Sequence, residues 1–165
     1  MKLIFESENI GFVALSEHLV KDYLAMINDE ENVQKYIRRV HVPREPYTEE
    51  QEIEWVREKT AENACTFSMI EKKTGDFIGN IELMDRNESE KELGIAVTAK
   101  KQNMGFGTEA VSALLTYGFG VLGLKRIFLK ANPENSRAIH VYERCGFRIY
   151  DRTEDHVFME ITRKA

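Results

Sequence analysis

Cysteine is scarce in this chain: Cys65 and Cys145 are the only two in 165 residues, too few for a disulfide framework and without a CxxC partner. The four histidines, His18, His41, His140 and His156, show no metal-ligand spacing, so no metal site is expected. Three prolines and ten glycines leave no low-complexity tract or internal repeat, and the only linker-like stretch is Val42 to Tyr47. Long apolar runs are missing too. The longest charge-free stretch, Ala110 to Leu124, carries Ser112, Thr116 and three glycines, too short and too mixed to cross a bilayer. At the amino terminus Glu6 interrupts the chain before an apolar run of secretory length, so the expectation is a cytoplasmic protein with no membrane partner. Positive charge is in deficit, with 23 Lys and Arg against 28 Asp and Glu. That balance argues against a duplex-binding module, and no nucleic-acid partner is expected.

What is present suits one compact domain over residues 1–165: 42% of the residues are hydrophobic, and a chain of this length buries roughly two thirds of its surface. Charge is spread unevenly. Residues 1–98 hold 12 bases against 21 acids, and residues 99–165 hold 11 against 7. An acidic half suits a cation and a basic half suits a phosphorylated ligand.

Periodicity supplies an element order of β-α-α-β-β-β-α-β-α-β-β. Gly11 to Leu15 reads as a strand, followed by a helix capped at Ser16 with Leu19, Val20, Tyr23, Leu24 and Ile27 at helical spacing. Thr48-Glu49-Glu50-Gln51 is a capping box opening a second, acid-rich helix with Ile53, Trp55 and Val56. Two strands flank the turn Lys73 to Asp76, and Glu92 to Thr98 alternates as a third. A long helix is expected over Gly107 to Leu122 with Gly123 as its stop, then a strand at Arg126 to Lys130. Asn135 caps a short helix stopped by Gly146, and strands at Phe147–Tyr150 and Val157–Ile161 close the fold.

Two stretches carry chemistry. Gln102-Asn103-Met104-Gly105-Phe106-Gly107-Thr108 joins a strand to a helix start. Its glycines allow a pyrophosphate to approach backbone N–H groups at the positive end of the helix, with Lys100 and Lys101 just upstream. Gly105-x-Gly107-x-x-Ala110 also fits a dinucleotide fingerprint, but about a hundred residues precede it and Lys130 stands where an acid belongs. The second stretch, Asn135-x-x-Ala138-x-x-x-Tyr142-x-x-x-Gly146-Phe147, runs from a polar turn through a short helix.

Together these stretches resemble the GNAT acyl-CoA N-acetyltransferase superfamily, in the branch containing ribosomal-protein N-terminal and spermidine/spermine acetyltransferases. The resemblance implies an α/β fold with a mixed, mostly antiparallel sheet splayed at its centre and flanked by helices. It implies acetyl-CoA as co-substrate, lying against Ile95, Ala96 and Val97, with its pyrophosphate on Gln102, Asn103, Met104, Gly105, Phe106, Gly107 and Thr108, its pantetheine arm near Asn135, and Arg137 as a further cofactor contact. Tyr142 matches the family tyrosine placed to assist the departing thiolate. Glu92 matches a frequent carboxylate that takes the amine proton, with Glu82 or an ordered water as substitutes. The small residues Gly94, Ala96 and Thr98 beside Glu92 leave room for a thioester against the strand. In two departures, Asn103-Met104 follows Gln102 where the family commonly has Gly-Lys or Gly-Arg, and Ala99 replaces a common proline.

The expected reaction is direct acetyl transfer to a primary amine. The acidic first half favours a cationic acceptor, either a polyamine-like molecule, with Glu82 and Asp85 as candidate substrate contacts, or a peptide N-terminus. A homodimer is an open possibility of association. The rival readings are a non-catalytic acyl-CoA sensor on the same fold and a Rossmann-like nucleotide enzyme.

Overall fold

A computed structural model describes residues 1–37 and 45–164. Val42, Pro43 and Arg44 of the linker-like stretch, and His41, lie outside the described residues. Eight strands form one sheet in the order β1-β2-β3-β4-β5-β6-β8-β7: β1 (Leu3–Glu6), β2 (Ile10–Ala14), β3 (Cys65–Glu71), β4 (Phe77–Asp85), β5 (Glu90–Val97), β6 (Arg126–Ala131), β7 (Arg148–Arg152) and β8 (Val157–Thr162). The helices are α1 (Val20–Ile27), a single turn α2 (Lys35–Ile37), α3 (Glu49–Ala61), α4 (Phe106–Thr116) and α5 (Ser136–Arg144).

Every neighbouring pair is antiparallel except β5 with β6, which is parallel and brief. Glu90, Lys91 and Glu92 pair with Arg126, Ile127 and Phe128, and the two strands then separate. This leaves one edge of β5 from Leu93 to Val97 unpaired and opens the sheet at its centre. A Rossmann unit requires a parallel sheet with its phosphate turn after the first strand; one parallel pair among antiparallel neighbours excludes that reading.

The two sheet faces are built differently. On one face, Phe67, Met69, Ile81, Leu83, Leu93, Ile127, Leu129 and Met159 join Val111 and Leu114 of α4 and Tyr142 of α5 in the main core. The opposite face of β2 to β4 is covered by α1 and α3, where Val13, Val20, Tyr23, Met26, Val56, Ile70 and Phe77 form a second cluster.

Local chemistry explains most element boundaries. Thr48 Oγ1 accepts from Gln51 N while Gln51 Oε1 accepts from Thr48 N, completing the capping box of α3. Ser16 caps a 3₁₀ turn, Glu17–Leu19, that runs into α1. The helix expected through Leu122 is α-helical only to Thr116 and then widens into a π turn over Tyr117–Val121. Gly118 lies within this turn, where a Cβ would stand 3.0 Å from Ile127 Cδ1, so the chain approaches the sheet closely there at a glycine. The unexpected element is β1. Its half-exposed, four-residue edge strand has no alternating pattern to reveal it.

Candidate active site

The opening between β5 and β6 is continuous with a cavity of about 840 Å³. One arm runs along β5 to the turn before α4, and the other runs beneath α1 and α3.

The first arm is shaped by backbone. Asn103 (φ +61°) and Gly105 (φ +86°) are left-handed, and Gly105 is the N-cap of α4. Asparagine is one of the few side chains that tolerate this region. The turn therefore survives the departure at position 103. With a glycine at the cap, the first-turn N–H groups of α4 have no capping side chain and are available to an anion. Gln102 pins the turn: its Nε2 donates to Val97 O (2.9 Å) and Asn32 O (3.2 Å). From α5, Arg137 donates to Gln102 Oε1 (2.8 Å) and Asn103 Oδ1 (3.2 Å). A cation missing from the turn's own sequence thus reaches it from a different helix. Lys101 has other partners, with its Nζ 3.1 Å from Glu71 Oε2 and 3.0 Å from Asp76 Oδ2 in the β3–β4 hairpin.

Asn135 N-caps α5 by accepting from Ala138 N (3.2 Å). About two turns on, Tyr142 is 8% exposed and edges against the Phe147 ring. Burial, with Cys145 adding a little, pushes its hydroxyl pKa up to about 12. The phenol is therefore protonated at any working pH, and it lines the cavity with no hydrogen-bond partner among the described residues.

Carboxylates mark the second arm. Glu92, 7% exposed, pairs through Oε1 with Arg86 Nη2 at 2.5 Å. Neither Lys91 nor Lys130 takes that position. Glu82 accepts from Thr66 Oγ1 (3.3 Å). Opposite it in the β4–β5 register stands Gly94, where a Cβ would lie 3.3 Å from Glu82 Oε1, so the missing side chain lets this carboxylate lie across the strand. Glu52 of α3, 8% exposed, lines the same arm, as do Tyr36, Tyr47 and Trp55.

Most expected site residues gather here: Glu82, Glu92, Ile95, Ala96, Val97, Gln102, Asn103, Gly105, Gly107, Thr108, Asn135, Arg137 and Tyr142 all line the cavity. Three others stand apart. Met104 points to solvent with 57% exposure, and Phe106 is buried in the main core, so neither side chain reaches the cavity. Asp85, at the end of β4, is ion-paired with Lys91 with its own side chain 85% exposed. Sequence reasoning passes over Glu52, Tyr36, Tyr47, Asn80 and His156, which line the cavity. Only Glu52 leaves a trace, since it lies one turn before the buried Val56 and so on the apolar side of α3. Among the described residues no cluster of His, Cys, Asp and Glu could hold a metal, and no helix is long and apolar enough to cross a membrane.

A family model of the acetyltransferase (GNAT) domain matches residues 9–148. A spermidine N(1)-acetyltransferase of Vibrio cholerae is 30% identical over 128 residues, covering 76% of this chain and 71% of that protein. The crystal structure of a V. cholerae spermidine N-acetyltransferase with CoA and spermine superposes with a TM-score of 0.82 at 25% identity, over 94% of this chain and 96% of that one. A GNAT-family acetyltransferase of Bacillus anthracis reaches the same TM-score at 23% identity, over 98% of both chains.

Proposed function

This chain belongs to the GNAT acetyltransferase family, and from that premise we propose that it moves the acetyl group of acetyl-CoA to a primary amine of a polyamine-like polycation. One observation carries the choice of acceptor: the cavity joins an anion-binding turn to an arm where Glu52, Glu82 and Glu92 converge with Tyr36, Tyr47 and Trp55. Carboxylates and aromatic faces recognise ammonium groups, and a chain of several amines can meet several carboxylates at once. The related spermidine acetyltransferase and the neighbour holding CoA and spermine support the same choice.

In this reading acetyl-CoA supplies the activated acetyl group, with its thioester beside Ile95, Ala96 and Val97. The first-turn N–H groups of α4 and Arg137 hold its pyrophosphate. An amine of pKa ~10.4 costs about 4.6 kcal/mol to deprotonate at pH 7, against about 1 for a peptide α-amine near ~7.8. A polyamine acceptor therefore needs a proton acceptor, the role this reading gives to Glu92, whose Oε1 is paired with Arg86. Tyr142 faces the thiolate. With its own pKa near 12 and a thiol near ~8.5, full proton transfer to sulfur is uphill by about 5 kcal/mol, so Tyr142 stabilises the leaving group as a hydrogen-bond donor.

The test is thiol release from acetyl-CoA across a panel of spermine, spermidine, lysine-terminated peptides and peptides with free α-amines. Polyamines should give the highest kcat/KM. Preference for α-amines would move the acceptor to a peptide N-terminus, and tight CoA binding with no turnover of any amine would support an acyl-CoA sensor.

A further inference from the structure

Beneath α1 a chain of hydrogen bonds crosses the sheet and ends at the cavity. The Ser16 backbone N–H donates to Tyr23 Oη (3.2 Å), Tyr23 Oη lies 2.6 Å from Ser68 Oγ, and Ser68 Oγ lies 2.8 Å from Asn80 Oδ1. Each hydroxyl has a single proton to give, so the chain has a direction. Tyr23 is 1% exposed and Ser68 is fully buried. Ser16 N–H can only donate, so Tyr23 Oη is an acceptor there and its own proton goes to Ser68. Ser68 then gives its proton to Asn80, which must meet it with oxygen. With the amide turned the other way, Ser68 Oγ would have to accept from Asn80, and one of the two hydroxyl protons, that of Tyr23 or that of Ser68, would be buried without an acceptor in this chain, which native interiors avoid. Asn80 is thereby fixed with Oδ1 toward Ser68 and Nδ2 away from it. Nδ2 has no acceptor among the described residues, Asn80 lines the cavity, and its partner across the register is Ala96.

An amide NH₂ only donates. It offers nothing to an ammonium group, and it suits an oxygen that gains negative charge. This separates Asn80 from the neighbouring carboxylates of the acceptor arm and places it beside the strand assigned to the thioester. We propose that Asn80 Nδ2 donates to the acetyl carbonyl oxygen, with Ser68 and Tyr23 as positioning residues that hold the amide in that orientation. The assignment rests on the acetyl-transfer reading above. As the amine nitrogen bonds to the carbonyl carbon, the carbonyl electron pair moves to oxygen, where Asn80 meets it. Collapse of that oxyanion re-forms the carbonyl and breaks the C–S bond. The thiolate leaves with the bonding pair, and the amine proton passes through the base to solvent or to sulfur.

Asn80→Ala and the isosteric Asn80→Asp, which keeps an oxygen for Ser68 but removes the donor, test this. Steady-state kinetics with spermine should show kcat lower by ~10²-fold or more in both, with KM for spermine little changed. Ser68→Ala, which frees the amide to turn, should lose less. Calorimetry supplies a readout independent of turnover: the wild-type protein should bind acetyl-CoA more tightly than CoA, and Asn80→Ala should lose that preference without losing CoA. Wild-type kcat in either Asn80 variant overturns the proposal. So does an acetyl-CoA preference that survives in Asn80→Ala or is absent from the wild type. Should the wild-type protein acetylate no amine, the proposed function fails, while the calorimetric comparison still decides for or against Asn80.

Discussion

The two arms of the cavity hold opposite charge by different means. The arm before α4 is made of backbone: left-handed Asn103 and Gly105, open N–H groups, and one guanidinium, Arg137, brought from α5. The arm beneath α1 and α3 is made of side chains, with Glu52, Glu82 and Glu92 contributed by a helix and two strands. A phosphate presents the same chemistry in every acyl-CoA and can be met by a rigid turn. Cationic acceptors differ in length and charge spacing, and side chains can be changed one at a time without disturbing the backbone. In the proposed reading the thioester sits where the arms join, so each arm can be broken with the other as its control.

The largest effect is expected in the acidic arm. Glu92→Gln keeps the shape beside Arg86 and removes the proposed proton acceptor, so kcat with spermine should fall by ~10²–10⁴ near neutrality. The rate should recover as alkaline pH supplies free amine, and recover further for a polyamine than for an α-amine, whose deprotonation at pH 7 costs about 3.6 kcal/mol less. Acetyl-CoA affinity should not change. A parallel, pH-independent drop would leave Glu92 holding the substrate and hand the proton to Glu82 or water.

At the junction, Tyr142→Phe should lower kcat by roughly 10–10²-fold, below the full range for general acids, because a phenol of pKa about 12 donates a hydrogen bond without surrendering its proton. The ring still meets Phe147, so Tm and acetyl-CoA affinity should hold. Wild-type turnover, with chemistry shown to limit the rate, would reduce Tyr142 to packing.

In the basic arm, Gly107→Val and Arg137→Gln separate backbone approach from charge. A Cβ at Gly107 meets nothing nearer than Val141 Cγ1 at 3.9 Å, so a lone β-carbon is tolerated and lost CoA affinity would reflect the blocked face of the turn. Arg137→Gln should weaken CoA by about tenfold, the scale of one charge-assisted contact, and should flatten the salt dependence of binding. Spermine KM should stay put in both. Unchanged CoA affinity by calorimetry in both variants would move the cofactor away from this turn.

The arms also differ in how far the sequence discloses them. The turn is legible because its chemistry is contiguous: two glycines, a tolerant asparagine and a helix start within a few residues. The run over Asn103 to Thr108 nevertheless includes Met104 and Phe106, since a linear pattern cannot show which side chains turn outward or into the core. The strand–turn–strand pattern of β3 to β5 and the caps at Thr48 and Asn135 are equally local. The acidic arm is assembled by register and helix packing across the domain. Asp85 is adjacent in sequence to the β4 residues that line the cavity, yet it sits at the strand's exposed end with Lys91. Asn80 becomes visible only once β4 is folded around the opening, and the spacing of Glu52 from Val56 shows its side of α3 but not the cavity it lines. Arg86, the partner of Glu92, lies in the β4–β5 turn six residues earlier, where no periodicity connects the two.

The smallest effect is expected at Lys101, which ties the phosphate turn to the β3–β4 hairpin. Hydrogen bonds from Thr74 and Lys101 hold the Glu71 carboxyl below its ordinary range, those from Lys101 and Thr74 do the same for Asp76, and the two carboxylates raise the pKa of Lys101. For the acids, the stabilisation is fully present above their ordinary pKa and disappears as pH falls through the lowered values. For Lys101 it is present below the ordinary lysine pKa and disappears as pH rises through the raised one. Lys101→Met should therefore lower Tm modestly across the neutral range, with the difference from wild type vanishing in strong acid. Thermal denaturation followed from pH 2 to 7 measures this. Lys101 is committed to the hairpin, so the variant should change CoA affinity far less than Arg137→Gln. A CoA loss as large as that of Arg137→Gln would make Lys101 a phosphate contact, and the basic arm would then draw charge from its own sequence as well as from α5.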